Sequence, residues 1–251
     1  MKGWQIFLHS VRLVFRNLDQ AFRVSIVLYL VQAVNQIALF LNPPQLITND
    51  VGAQMPAMTP GSGLQALVMG IVALLASLWI AVAWHRFVLK EEYPAGWLPR
   101  WHGSCMVGYL GRSILLGFAV GLGVTIAAIP AVAVLSVEPA AWGVVYMAMI
   151  WVAAFIFFRL AVMLPASALG ESLPLSEAWR ATSGESGTFT VLAALVVGAS
   201  IIVMLPSLIH NNSGSLIDLV YGIVVNWFMT IIGISVLTTL YGHFIQKRPI
   251  D

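Results

Sequence analysis

Six stretches of this chain run for about twenty residues each without a charged side chain, and that pattern fixes most of what it can fold into. They cover residues 24 to 42, 64 to 84, 113 to 137, 140 to 158, 189 to 209 and 219 to 242. A helix rising ~1.5 Å per residue needs ~20 residues to cross a ~30 Å hydrocarbon core. In lipid each backbone amide must be satisfied by its own segment or by a closed barrel, and these runs lack the alternation of barrel strands. The chain is therefore predicted to be all-α and polytopic, with six transmembrane helices arranged as three hairpins behind an N-terminal interfacial helix. Of its 251 residues, 60% are hydrophobic and 9% charged, against the roughly 25% charged that a soluble chain carries. A soluble enzyme and a nucleic-acid module are excluded on that ground, and a formal charge of +2 gives no reason to expect a polyanionic partner.

The predicted organisation is an interfacial amphipathic helix over 1–23, a membrane domain over 24–242 and a tail over 243–251. Charge parity supplies the orientation. Lys2, Arg12, Arg16 and Arg23 precede span one. Arg86, Lys90, Arg100 and Arg112 separate spans two and three, Arg159 and Arg180 separate spans four and five, and Lys247 and Arg248 follow span six. All twelve basic residues thus share one side, which the positive-inside rule makes cytoplasmic together with both termini. The opposite loops, Pro43 to Gly63, the turn at Glu138 and Pro139, and His210 to Ser215, contain no Lys or Arg. Arg12, Arg16 and Arg23 also interrupt the place where a signal peptide would need its apolar run. The single Cys105 is expected to be a structural thiol.

Before span one, Trp4, Phe7, Leu8, Val11, Phe15, Leu18 and Phe22 recur at spacings of three and four, with Arg12, Arg16 and Arg23 on the other face. This predicts a helix in the headgroup plane with its arginines toward anionic lipid phosphates. A unit of two spans and a basic, proline-containing segment then recurs: Trp84-His85-Arg86-Phe87 before Pro94, Phe157-Phe158-Arg159-Leu160 before Pro165, and Tyr241-Gly242-His243-Phe244 before Pro249. Between spans four and five, Ser176 is placed to cap a short helix through Arg180 that Gly184 and Gly187 end. Trp97, Trp101 and Trp179 are expected at headgroup depth.

The segments Phe15 to Ser25 (FRNLDQAFRVS) and Phe158 to Gly184 (FRLAVMLPASALGESLPLSEAWRATSG) resemble bacterial inner-membrane proteins with six spans, akin to the membrane domain found beside some glycerophosphodiester phosphodiesterases. The resemblance covers about a fifth of the chain. It implies an inner-membrane location and the six-span topology, and no reaction, since the sequence holds no phosphodiesterase barrel.

Motifs for nucleotide, dinucleotide or zinc binding are missing, and no cofactor is expected. Gly184-Glu185-Ser186-Gly187 matches the GxSG of intramembrane serine proteases, with His243 on the same side as a base, but Ser186 falls in an elbow outside the spans. His85, His102, His243, Glu91 and Glu92 gather toward one rim without a metal-ligand spacing. The most telling polar residues are those inside lipid, because each needs a partner. Gln32, Asn35 and Gln36 in span one, with Ser25 and Tyr29 on the same side, are matched in span six by Asp218 and Asn226. Spans one and six are expected to face one another, with this stripe acting as interhelical glue or as a solute path. Gly117 and Gly121 form a small-xxx-small pair for packing on a neighbouring span or a second copy. Pro130 and Pro206 are candidate kinks.

These features favour a non-enzymatic membrane protein acting through lipid contact, packing or membership of a membrane complex or homo-oligomer. A small-solute transporter using the polar stripe and a headgroup enzyme using His85 and His243 are the alternatives. The expected partners are the bilayer and its anionic lipids, with no nucleic acid.

Overall fold

The computed structural model describes residues 2–43, 46–48, 54–56, 62–210 and 215–250. In chain order the helices are α1 (Lys2–Arg16), α2 (Leu18–Leu41), α3 (Ser62–Lys90), α4 (Gly103–Val137), α5 (Trp142–Leu160), α6 (Met163–Ala168), α7 (Leu175–Ala181), α8 (Ser186–His210) and α9 (Leu216–Phe244). Six of them, α2, α3, α4, α5, α8 and α9, are long and apolar enough to cross a membrane. The protein is an all-helical, multi-pass membrane protein. Between α2 and α3 the chain forms a small antiparallel ladder, β1 (Leu46–Thr48) against β2 (Gln54–Pro56), with Ile47 opposite Met55. The remainder of the Pro43 to Gly63 loop, and residues 211–214 of the His210 to Ser215 loop, lie outside the described residues. A 3₁₀ turn, Pro139–Ala141, joins α4 to α5.

Several helices run past the charges that bound the predicted spans. Arg86 and Lys90 belong to α3 and Arg112 to α4, because their cationic heads leave the helix surface and find carbonyl oxygens elsewhere. At 35 residues, α4 is about 50 Å long, well beyond a ~30 Å core. Pro130 and Pro206 both lie inside continuous helix.

The helix expected as one piece over 1–23 is broken at Asn17, whose side chain bonds back to the Leu13 carbonyl at 2.8 Å. α1 does not rest on the bundle by its aromatic stripe. Gly3, Ile6, Ser10 and Val14 are its buried residues and seat it against α8 and α9, while Trp4 and Phe15 stay exposed. Lipid accepts aromatic side chains without penalty, so the face turned to protein is the one that lets backbones approach. At Gly3 a Cβ would stand 2.5 Å from the Thr188 carbonyl oxygen. Gly3→Val is therefore expected to lift α1 off α8, read as faster proteolysis between α1 and α2 than in wild type.

Burial is concentrated in the half of each span nearest the basic loops. Ile80, Val82 and Trp84 of α3, Met106 and Tyr109 of α4, Leu192 of α8, and Ile231, Val236 and Leu240 of α9 form this core, whereas Leu64, Leu67, Ile129, Val132, Val144 and Ile202 from the other halves are exposed. At its centre lies α6, buried along its whole length and touching α3, α4 and α9. It ends in a left-handed Gly170 (φ +82°), where the Glu171 N–H bonds to the Ala166 carbonyl and the Gly170 N–H to that of Ser167, the double closure of a Schellman cap. Ser176 does not cap the next helix: it lies inside α7, with Pro174 at the cap position and Gly184 (φ +85°) beyond the end. α3 and α9 end alike. Glu91 and Lys247 both take positive φ, and the following N–H reaches back six residues, Glu92 to Arg86 and Arg248 to Gly242. After α5 the chain instead continues into α6, so the recurring unit differs at its middle copy.

Candidate functional site

The polar stripe of span one divides between two neighbours. Its Ser25 hydroxyl accepts from the Trp227 indole of α9 at 2.8 Å, and the Tyr29 hydroxyl donates to the Ile223 carbonyl at 2.8 Å. Gln36 and Asn226 both interact with the Tyr29 hydroxyl, and the Gln36 amide oxygen faces Gly222. Gln32 turns the other way, donating to Ser77 of α3 at 2.9 Å. Asn35 is half-buried beside them, and Asp218 sits in the first turn of α9, where a carboxylate suits the helix dipole. Phe22 stacks on Trp227 at 4.5 Å, closing the contact between spans one and six.

A second polar link lies in the core and centres on His85, which the sequence had placed at the rim. His85 has no exposed surface. Its Nδ1 lies 2.8 Å from the Thr238 hydroxyl, its Nε2 lies 3.4 Å from the Tyr109 hydroxyl, and Thr238 donates to the Ile234 carbonyl. Because Thr238 spends its proton on Ile234, Nδ1–H donates to Thr238; in a neutral ring Nε2 then accepts from Tyr109 O–H, and the imidazole bridges α4, α3 and α9. Ser10 and Thr239, paired at 2.9 Å, join α1 to the same region.

Several of the basic residues hold helix ends. Arg86 donates to the Ala168 carbonyl (3.2 Å) and Lys90 to that of Leu169 (2.7 Å), both at the C-terminus of α6. Arg112 takes the Leu173 carbonyl, Arg248 takes those of Val88 and Leu89 at the end of α3, and Lys247 takes that of Phe244. Apart from that of Leu173, which lies in the link between α6 and α7, these are the orphan carbonyls at the negative end of a helix, where a cation is favoured. Arg159 is 6% exposed, stacks on Trp179 at 3.7 Å and donates to the Trp179 carbonyl and the Thr182 hydroxyl. Of the arginines expected to meet lipid, Arg12 and Arg16 are exposed, while Arg23 is paired with Asp19 at 2.9 Å and lies over Trp97.

Gly117 and Gly121 touch no neighbouring span; they line a shallow outward-facing groove with Ile114, Phe118 and Leu122. The close approach between α4 and α5 falls instead at Gly123, where a Cβ would meet Ile156 at 2.4 Å. In the Gly184–Gly187 quartet it is Glu185, rather than Ser186, that shares a recess with His243, Lys2 and Lys247. Lys2 and Thr188 both donate to Glu185 and hold its carboxyl below the usual carboxylate range. This clasp between α1 and α8 is present above the ordinary glutamate value of about 4.3 and is lost as pH falls through the lowered one. Among the described residues no cluster of three His, Cys, Asp or Glu is able to hold a metal. Cys105 lies 3.9 Å from the Arg86 guanidinium.

Comparison with protein-family models, with curated proteins and with solved structures gives no match to this chain.

Proposed function

We propose that the chain is a non-enzymatic multi-pass protein of a bacterial inner membrane, with both termini cytoplasmic, acting through anionic lipid and through neighbours in a membrane complex. The observation that carries this reading is where the membrane polar groups spend their hydrogen bonds. Gln32 is committed to α3, and Ser25, Tyr29, Gln36 and Asn226 are committed across the contact of α2 with α9. A solute path needs such groups free to exchange partners, whereas adhesion between helices uses them as found here. His85, one of two imidazoles a headgroup enzyme would employ, is sealed inside the core. Exposed Arg12 and Arg16 supply the lipid contact, and the outward Gly117 and Gly121 groove suits a second copy.

Asn226→Leu tests adhesion against conduction. It is expected to lower stability in mild detergent by about 1 kcal/mol and to leave the flux of a small-solute panel in proteoliposomes indistinguishable from wild type. A flux that wild type supports and the variant abolishes would overturn the proposal. A reporter fused after Asp251 is expected to be active only on the cytoplasmic face.

A further inference from the structure

Behind the segment that joins α3 to α4 lies a recess of about 300 Å³. Its floor is apolar, formed by Val24 of α2 and Ala83 of α3, and its walls carry Arg86, Glu92, Arg100 and His102. The Glu92 carboxylate is already shared, one oxygen with Arg86 Nε at 2.8 Å and the other with His102 Nε2 at 3.2 Å. The lining thus carries two arginines to one carboxylate, and that carboxylate is taken up by Arg86 and His102. Among the described residues no acidic side chain pairs with Arg100.

The Arg100 backbone is fixed while its side chain is exposed. The Trp79 indole and His102 Nδ1 both approach the Arg100 carbonyl, at 3.3 and 3.1 Å, and Trp79 packs edge-on against Trp101 at 4.7 Å. A planar cation is thus presented from a held backbone at the wall of a charged cavity with an apolar floor. Close by, Arg23 of α2 lies over exposed Trp97 of the same segment.

We propose that this recess seats a phosphate group, with Arg100 as its principal donor. A guanidinium fork matches phosphate oxygens in pairs, and the apolar floor together with the exposed tryptophans favours a phosphate carried by a membrane lipid. The proposal adds to the diffuse contact of Arg12 and Arg16 one defined lipid seat, and rests on the lipid-contact part of the proposed function.

The test uses the full chain, mixed with vesicles of phosphatidylcholine and phosphatidylglycerol in equal parts, then extracted into mild detergent. Retained phosphatidylglycerol is counted by native mass spectrometry, and inorganic phosphate binding is measured separately by equilibrium dialysis. Arg100→Gln is expected to retain about tenfold less phosphatidylglycerol than wild type, the effect of losing one charge-assisted contact, while Arg180→Gln, which removes an exposed cation away from the recess, retains as much as wild type. Phosphate binding that depends on Arg100 without lipid retention also supports the phosphate site and assigns its ligand to solution. Unchanged retention and phosphate binding in Arg100→Gln, or an equal loss in Arg180→Gln, would overturn it. Solute flux by the wild-type protein would defeat the non-transporting reading without altering any of these results.

Discussion

Trp84→Ala is expected to lower the unfolding free energy in mild detergent by about 3 to 5 kcal/mol, while Trp84→Phe costs less than about 1.5 kcal/mol. Trp84 has no exposed surface and sits among Val24, Leu28 and Ile231, with the Phe87 ring 5.4 Å away. Lipid tails are as apolar as these neighbours, so alanine loses little transfer free energy; it loses the dispersion contacts of a filled space and leaves a cavity. Phenylalanine keeps most of the volume. It also removes an indole N–H that has no hydrogen-bond partner among the described residues, and relief of that unmet donor offsets the smaller ring. Equal losses for the two variants, in a denaturant titration of mixed micelles, would mean the site is not packed as described.

The second large effect is expected at Arg159. Its guanidinium spends itself on three contacts with the elbow after α6: the Trp179 ring, the Trp179 carbonyl and the Thr182 hydroxyl. A desolvated cation–π contact contributes about 2 kcal/mol and a hydrogen bond from a charged donor about 1.5 to 3 kcal/mol. These terms are not independent, and Arg159→Ala is expected to cost about 3 kcal/mol. Arg159→Lys keeps the charge and loses the planar face, so it should recover less than half. Because α7 depends on this anchor, the alanine variant should also raise hydrogen exchange over residues 175–181 before it does so in α3. Uniform acceleration across the chain would contradict that assignment.

The six crossings were legible because charge is costly in lipid, and uncharged runs therefore mark them directly. Helix ends were less so. Arg86, Lys90 and Arg112 read as span boundaries, yet each lies on a helix and reaches a carbonyl elsewhere, a pairing that depends on α6 and the elbow folding beneath them. The protein-facing side of α1 was not legible for a related reason. The stripe of Trp4, Phe7 and Phe15 was expected to face lipid, but nothing in its period marked Gly3 and Ser10 as the points of closest approach to α8 and α9. Period alone does not separate lipid-facing from protein-facing surfaces. The facing of spans one and six was readable from Ser25, Tyr29, Gln36 and Asn226, whereas the turn of Gln32 toward Ser77 was not. Burial of His85 could not be read either, since it stands one residue beyond a run that ends at Trp84, beside a charged neighbour.

The bonds from Arg86, Lys90, Lys247 and Arg248 to main-chain oxygens would link the proposed insertion to the architecture. In the proposed orientation, the cations that keep their loops on the cytoplasmic side are also the ones that close the ends of α3, α6 and α9. An engineered attempt to invert the chain by relocating these charges would open the very junctions on which the finished bundle closes, so an inverted form would be a weaker protein even with every crossing intact.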